Sequence, residues 1–257
     1  MPIRAVVFDA DETLLDLRTA VTGGLVAVLA ELRRLTPAAR DVTLAEIESD
    51  WDAVFADHAT EPVTAIRRAA LARSLARVGL TAALEPITEL YFARRFALTR
   101  PFDDTLPALG VLRRSYTLGF ATNGNSRAER CGLAAEFAFE IYAHLGGVPK
   151  KPDPEFYAAV LAAAGMPPSS VVHVGDSPEK DVRAAQAAGL HAVWLNRTGL
   201  ARPAGLRPDA EIRTLAELPA VLDDWRRNAA TSRRTGWPSA GTGRPSAGTG
   251  WPSAGTG

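Results

Sequence analysis

The sequence has a single cysteine, Cys131, so no disulfide can form within the chain. Formal net charge is zero, with 29 basic and 29 acidic residues, which leaves no global attraction for nucleic acid. The longest apolar helix-like run, Leu25 to Ala30, is far too short to cross a bilayer. Asp9 interrupts the N-terminal stretch before a signal-type apolar core can form. These absences lead to the expectation of a cytoplasmic protein with no nucleic-acid or membrane partner. Lysine is also scarce: 26 arginines stand against Lys150, Lys151 and Lys180.

Hydrophobic residues make up 47% of the 257 positions and charged residues 23%, an ordinary balance for a globular chain. The charge is unevenly spread. Residues 226–257 hold five arginines and no acid, leaving 24 bases against 29 acids in the rest. A mildly acidic body that binds an anion needs local cations or a metal to do so.

Arg4 to Phe8 reads as a buried strand. From Asp16 to about Leu98, Ala, Leu and Arg recur at helical spacing with no strand signal, which predicts an insert of about four helices. Helices and strands then alternate. Helices are expected over Thr105–Ser115, Ser126–Ala135, Glu155–Ala164 and Pro178–Ala188. Strands are expected over Tyr116–Ala121, Ile141–Leu145, Val171–Val174 and Ala192–Leu195. The alternation predicts an α/β fold: a Rossmann-like, doubly wound parallel sheet, with an inserted helical domain. The expected division is residues 1–15 and 101–225 for the core, 16–100 for the insert, and 226–257 for a tail. That tail ends in three copies of a seven-residue repeat, Trp or Arg followed by Pro-Ser-Ala-Gly-Thr-Gly, whose composition predicts disorder.

In open parallel sheets, ligands bind beyond the carboxyl ends of the strands. Four predicted strand ends carry reactive groups: Asp9-Ala10-Asp11, Thr122-Asn123-Gly124, the Lys150-Lys151-Pro152 loop, and Gly175-Asp176 with Asp181 beyond. Each has a plain structural reading as well. Asp153-Pro154 and Ser177-Pro178 are ordinary helix starts, and paired aspartates suit a turn. Four such coincidences on one sheet edge are harder to accept. Two of three lysines in one strand-end loop sharpen the point, because a lysine ammonium is a compact charge suited to a phosphoryl oxygen.

In this order, Asp-x-Asp-x-Thr, Thr-Asn-Gly, Lys-Pro and Gly-Asp-x-x-x-x-Asp resemble the haloacid dehalogenase-like hydrolase superfamily over roughly residues 3–200. The helical insert is similar to that superfamily's cap. The resemblance implies a phosphatase dependent on Mg²⁺ and acting on a small phosphorylated metabolite. Asp9 would be the nucleophile and Asp11 the general acid and base. Thr122, Asn123 and Lys151 would hold the phosphoryl group. Asp9, Asp176 and the Asp11 carbonyl would bind Mg²⁺, and Asp181 would orient Lys151 or a metal-bound water. Lys150 competes with Lys151, which is preferred because it directly precedes Pro152. The superfamily's dehalogenases lack the second aspartate, since halide needs no protonation, so Asp11 favours phosphate chemistry. A phosphomutase and a non-catalytic phosphate-binding module are the alternatives. His144 and His173 are expected to be core residues on strands, and Cys131 a packing residue on a helix. Arg18, His58 and Arg67 are the insert's candidates for substrate contact.

Overall fold

The computed structural model describes residues 2–235. Six parallel strands lie in the order β3-β2-β1-β4-β5-β6. They are β1 (Ala5–Phe8), β2 (Thr117–Thr122), β3 (Phe139–Tyr142), β4 (Val171–Gly175), β5 (His191–Leu195) and β6 (Ala210–Ile212). Phe8 stands beside Phe120 of β2 and Val174 of β4, so Asp9, Ala121 and Gly175 come level at one edge. The strand order reverses between β1 and β4, where a crevice opens in such sheets.

Alternation along the strands divides two apolar layers. Val6, Phe8, Phe120 and Val174 face α5 (Thr105–Leu112) and α8 (Leu218–Thr235), meeting Leu109, Leu112, Leu218 and Leu222. Val7, Ala121 and Trp194 face α6 (Pro154–Ala164), meeting Phe156, Tyr157 and Val160. Asp153 caps α6, Pro154 occupies its first position, and Gly165 ends it at φ 60°. Proline there loses no hydrogen bond, and glycine adopts the left-handed turn without a Cβ clash.

Four helices follow β1: α1 (Leu17–Leu35), α2 (Leu44–His58), α3 (Val63–Arg77) and α4 (Leu84–Leu98). They have a core of their own, built on Leu25, Leu32, Ile47, Leu71, Leu75 and Ile87. Thr43 and Glu46 form a capping box at the start of α2. The two segments joining these helices to the sheet pair with each other: the Asp16 amide donates to the Arg100 carbonyl at 3.0 Å.

Several local expectations are corrected. The helix expected at Ser126–Ala135 is only a short 3₁₀ turn, Ala128–Arg130. Gly132 and Ala135 take positive φ beyond it, and Cys131 is buried just after the turn rather than on a helix. The following strand begins two residues early and ends at Tyr142, because His144 turns the chain at φ 66°. His144 is therefore exposed and off the sheet. Pro178–Arg183 forms a wide π-type turn, and only α7 (Ala184–Ala187) is regular helix. The edge strand β6, with three residues, is too short for its periodicity to register in sequence.

The tail boundary at 226 is also corrected. Residues 226–235 continue α8, whose Leu218, Val221, Leu222 and Trp225 keep one apolar face on the core at helical spacing. Residues 236–257, and with them the expected disorder of the repeat, lie outside the described residues. Among the described residues, no helix is long and apolar enough to cross a membrane.

Candidate active site

The end of β1 brings the two aspartates to the sheet edge by different routes. The Asp9 amide donates to Val174 of β4, which keeps Asp9 in strand register. The chain then turns sharply: the amides of Leu14 and Leu15 both donate to the Ala10 carbonyl at 2.9 Å. Asp11 leaves the strand direction and lines the cavity beneath the helical insert.

Lys151 is the lysine the structure places at Asp9. The residue is 3% exposed, and its Nζ donates to Asp9 Oδ1 at 2.6 Å and to Asp181 Oδ1 at 2.7 Å. Burial pushes the ammonium pKa down, but Asp181 and Asp9 outweigh it and hold the group charged, above the usual lysine range. Lys150 turns the other way and donates to the Ala59 carbonyl in the insert.

Asn123, expected to help hold the phosphoryl group, closes on the backbone of Lys151. Its Nδ2 donates to the Lys151 carbonyl at 2.9 Å, and its Oδ1 accepts from the Lys151 amide at 2.7 Å. The side chain thus clamps the backbone that carries Lys151, although it also borders the cavity. Thr122 is fully buried at the end of β2, where its Oγ1 accepts from the Gly124 amide at 2.8 Å. Gly124 has no room for a side chain, because a Cβ would collide with the Asp11 carboxylate and press on Thr122. Thr122, Gly124 and Asp11 therefore share one small space.

Asp176 and Asp181 follow β4. Asp181 Oδ1 accepts from Lys151 and contacts His173 Nε2 at 3.0 Å, while Oδ2 accepts from the Ser177 amide at 3.0 Å. Gly175 is needed here, since a Cβ would strike the Asp181 carboxylate. Burial opposes ionisation of Asp181, but the Lys151 and His173 contacts win and hold its pKa well below the carboxylate range. Asp176 lacks such support. Burial, then repulsion from Asp181, pushes its carboxyl up to about 7. Asp9 is raised well above the usual value, mainly by burial, with Lys151 opposing. The carbonyl of Asp176 is fixed by the Trp194 indole at 2.8 Å.

Oxygen atoms of Asp9, Asp176 and Asp181 lie within 4.8 Å of one another. Asp181 is already saturated by Lys151, His173 and Ser177. Asp9 uses only Oδ1 on Lys151, which leaves Oδ2 for another partner. An all-oxygen set drawn from Asp9 and Asp176 suits a hard divalent cation such as Mg²⁺, which keeps several waters. The raised carboxyls of Asp9 and Asp176 are what a site built to receive a cation shows without one.

Asp11 is not part of that group. Its carboxyl is raised by burial, against the opposing charges of Arg95 and Lys151 and a hydrogen bond with Ser126. Its Oδ1 is buried without a partner. Arg95, from α4, donates to Ser126 Oγ at 2.6 Å and completes this side of the site. Sequence reading missed Arg95, Ser126 and Trp194, which belong to no short motif. It also treated His173 as a core residue with its hydrogen bonds met. In fact His173 supports Asp181 while its Nδ1 is buried without a partner. Of the insert candidates, Arg18 and His58 are exposed and pair with Glu12 and Glu61; only Arg67 is buried and borders the cavity.

A family model for haloacid dehalogenase-like hydrolases matches residues 3–189. The phosphoserine phosphatase of Thermus thermophilus is 38% identical over 102 residues, 38% of each chain. A pyrimidine 5'-nucleotidase of Escherichia coli is 30% identical over 142 residues, 53% of this chain and 63% of its own. The chain thus matches less than two thirds of either relative's length. A crystal structure of a 2-haloacid dehalogenase from Pseudomonas syringae aligns at a TM-score of 0.72 and 33% identity, covering 87% of this chain and 99% of the other. With the family match extending from the first strand past the fourth strand end, the chain belongs to the haloacid dehalogenase-like hydrolases.

Proposed function

We propose that the chain is a Mg²⁺-dependent phosphatase for a small phosphorylated metabolite, working in the cytoplasm through an aspartyl-phosphate. The observation that carries this reading is a division of labour between two buried carboxyls. Asp9 is paired with the Lys151 ammonium, and Asp11 stands apart on the cavity with an unpartnered oxygen.

In this reading a carboxylate oxygen of Asp9 attacks phosphorus, with the Lys151 ammonium beside it. The bond from phosphorus to the ester oxygen breaks, and Asp11 delivers a proton to that leaving oxygen. Asp11 then takes a proton from the water that cleaves the acyl phosphate, which restores Asp9 and releases phosphate. Lys151 and the Thr122 hydroxyl offset charge on the transferring oxygens, the main contribution a protein makes to phosphoryl transfer. Asn123 keeps Lys151 in place, and Asp181 with His173 keeps it charged. A bound Mg²⁺, held by Asp9, Asp176 and the Asp11 carbonyl, would supply the remaining positive charge that a phosphate dianion needs beside a carboxylate.

Dehalogenation is a second reading, favoured by the 33% identical dehalogenase structure. Asp11 argues against it, because halide leaves without a proton. The deciding experiment measures phosphate release from a panel of phosphate monoesters and chloride release from 2-chloro acids, with Mg²⁺ and with EDTA. The expected result is Mg²⁺-dependent phosphate release that falls about 10⁴-fold or more in Asp9→Asn. Chloride release without phosphate release overturns the proposal. Transfer of the phosphoryl group within a sugar phosphate would make the chain a mutase instead.

A further inference from the structure

The helical insert holds two buried cations that, among the described residues, form no ion pair. Arg67 of α3 and Arg95 of α4 are 6% and 3% exposed. Both border a cavity of about 340 Å³ that also reaches Asp11 and Gly124. Arg67 Nε and Nη1 and Arg95 Nη1 have no hydrogen-bond partner. Among the described residues, neither guanidinium lies within 4.0 Å of a carboxylate. Elsewhere in the same helices the opposite holds: buried Asp50 is met by Arg73, Arg77 and Ser74. A buried charge left unpaired is costly and persists where something outside the chain pairs with it.

The surroundings fix the guanidinium of Arg67. Its Cζ lies 4.2 Å from the centre of the Trp51 ring and 4.8 Å from that of Tyr91. Tyr91 also hydrogen-bonds the guanidinium, and Nε and Nη1 remain without a partner, donors that suit a planar oxyanion. Phe55 and Phe92 extend the apolar wall.

We infer that Arg67 and Arg95 bind a second anionic group on the leaving-group side of the substrate. The substrate is then a phosphate monoester that also carries a carboxylate or a second phosphate, joined by an apolar body that packs on Trp51 and Phe55. This inference rests on the phosphatase reading and specifies its substrate class. It also gives the insert a means of selection: a neutral leaving group leaves N–H donors of both buried guanidiniums unanswered, which disfavours its binding.

The test uses matched esters: O-phosphorylated hydroxy acids of two to four carbons and 4-(carboxymethyl)phenyl phosphate, each beside its own methyl ester. A 4-(phosphonomethyl)phenyl phosphate arm separates carboxylate from phosphate recognition. For at least one pair, the acid is expected to exceed its ester in kcat/KM by on the order of 10²-fold, through KM. In Arg67→Met that ratio falls toward one, while the melting temperature without ligand stays level or rises. The wild-type ratios decide the matter even if the variant folds poorly. Ratios near one for every pair, and for the phosphonate arm, overturn the inference while leaving the phosphatase intact. Absence of phosphate release from every ester, p-nitrophenyl phosphate included, is instead a failure of the phosphatase reading.

Discussion

The sheet edge and the helical insert bury charge in opposite senses. At the sheet edge, Asp9, Asp176 and Asp181 gather around one ammonium, Lys151, so the region lacks positive charge. In the insert, Arg67 and Arg95 border a cavity whose one acidic lining residue, Asp11, makes no ion pair with either among the described residues, so the region carries an excess of positive charge. Each deficit has the sign of something expected to bind there: a divalent cation at the carboxylates, an anion at the arginines. The difference shows that buried charge is best read by what is missing around it. Paired charges such as Asp50 with Arg77 hold structure, whereas unpaired ones anticipate a ligand.

The strongest way to break this contrast is at Asp11, which lies between the two regions. Asp11→Asn is expected to lower kcat by about 10²- to 10⁴-fold. The loss should shrink for p-nitrophenyl phosphate, whose leaving group needs little protonation. Equal losses for all esters would remove Asp11 from the acid role.

Removing the sheet edge's single ammonium comes next. Lys151→Met leaves Asp9 and Asp181 buried together and is expected to cost about 3–5 kcal/mol in urea denaturation at neutral pH. In the wild type, Asp181 has a folded pKa below its unfolded value. Its contribution is therefore present above about pH 3.9 and is lost as pH falls below it. The variant should lack that acid-side loss.

Mg²⁺ should have a smaller effect with the opposite pH trend. Asp176 has a folded pKa raised to about 7, so the folded protein retains a proton that the unfolded chain has released. Stability from this group is present below about pH 3.9 and is lost as pH rises through 7. Added Mg²⁺ competes with that proton and should raise the melting temperature more at pH 8 than at pH 5.5. Asp176→Asn should abolish the difference. The smallest effect is expected for truncation after Thr235, which should leave turnover within about twofold because the repeat carries too little apolar surface to support a core.

The site's acids and its lysine were legible because they cluster at strand ends, and strand ends are marked by short apolar runs that stop. Val6–Phe8 before Asp9 and Val171–Val174 before Asp176 signal their own boundaries. Arg95 and Ser126 gave no such signal. One is an arginine beside another on α4 in an arginine-rich chain, and the other opens the segment Ser126–Ala135 that sequence reading took for a helix. Asn123 was visible, but its use was not, since nothing local reveals that its amide closes on the Lys151 backbone 28 residues away.

By itself, the sequence determined the alternation of strands and helices, the position of the insert and the residues at four strand ends. These follow from local periodicity and spacing along a chain of fixed geometry. Only the tertiary structure decided between Lys150 and Lys151, set Asp176 apart from Asp181, and showed Arg67 and Arg95 facing one cavity. Those outcomes depend on burial and on charges brought together from distant segments, and neither quantity exists until the chain is folded.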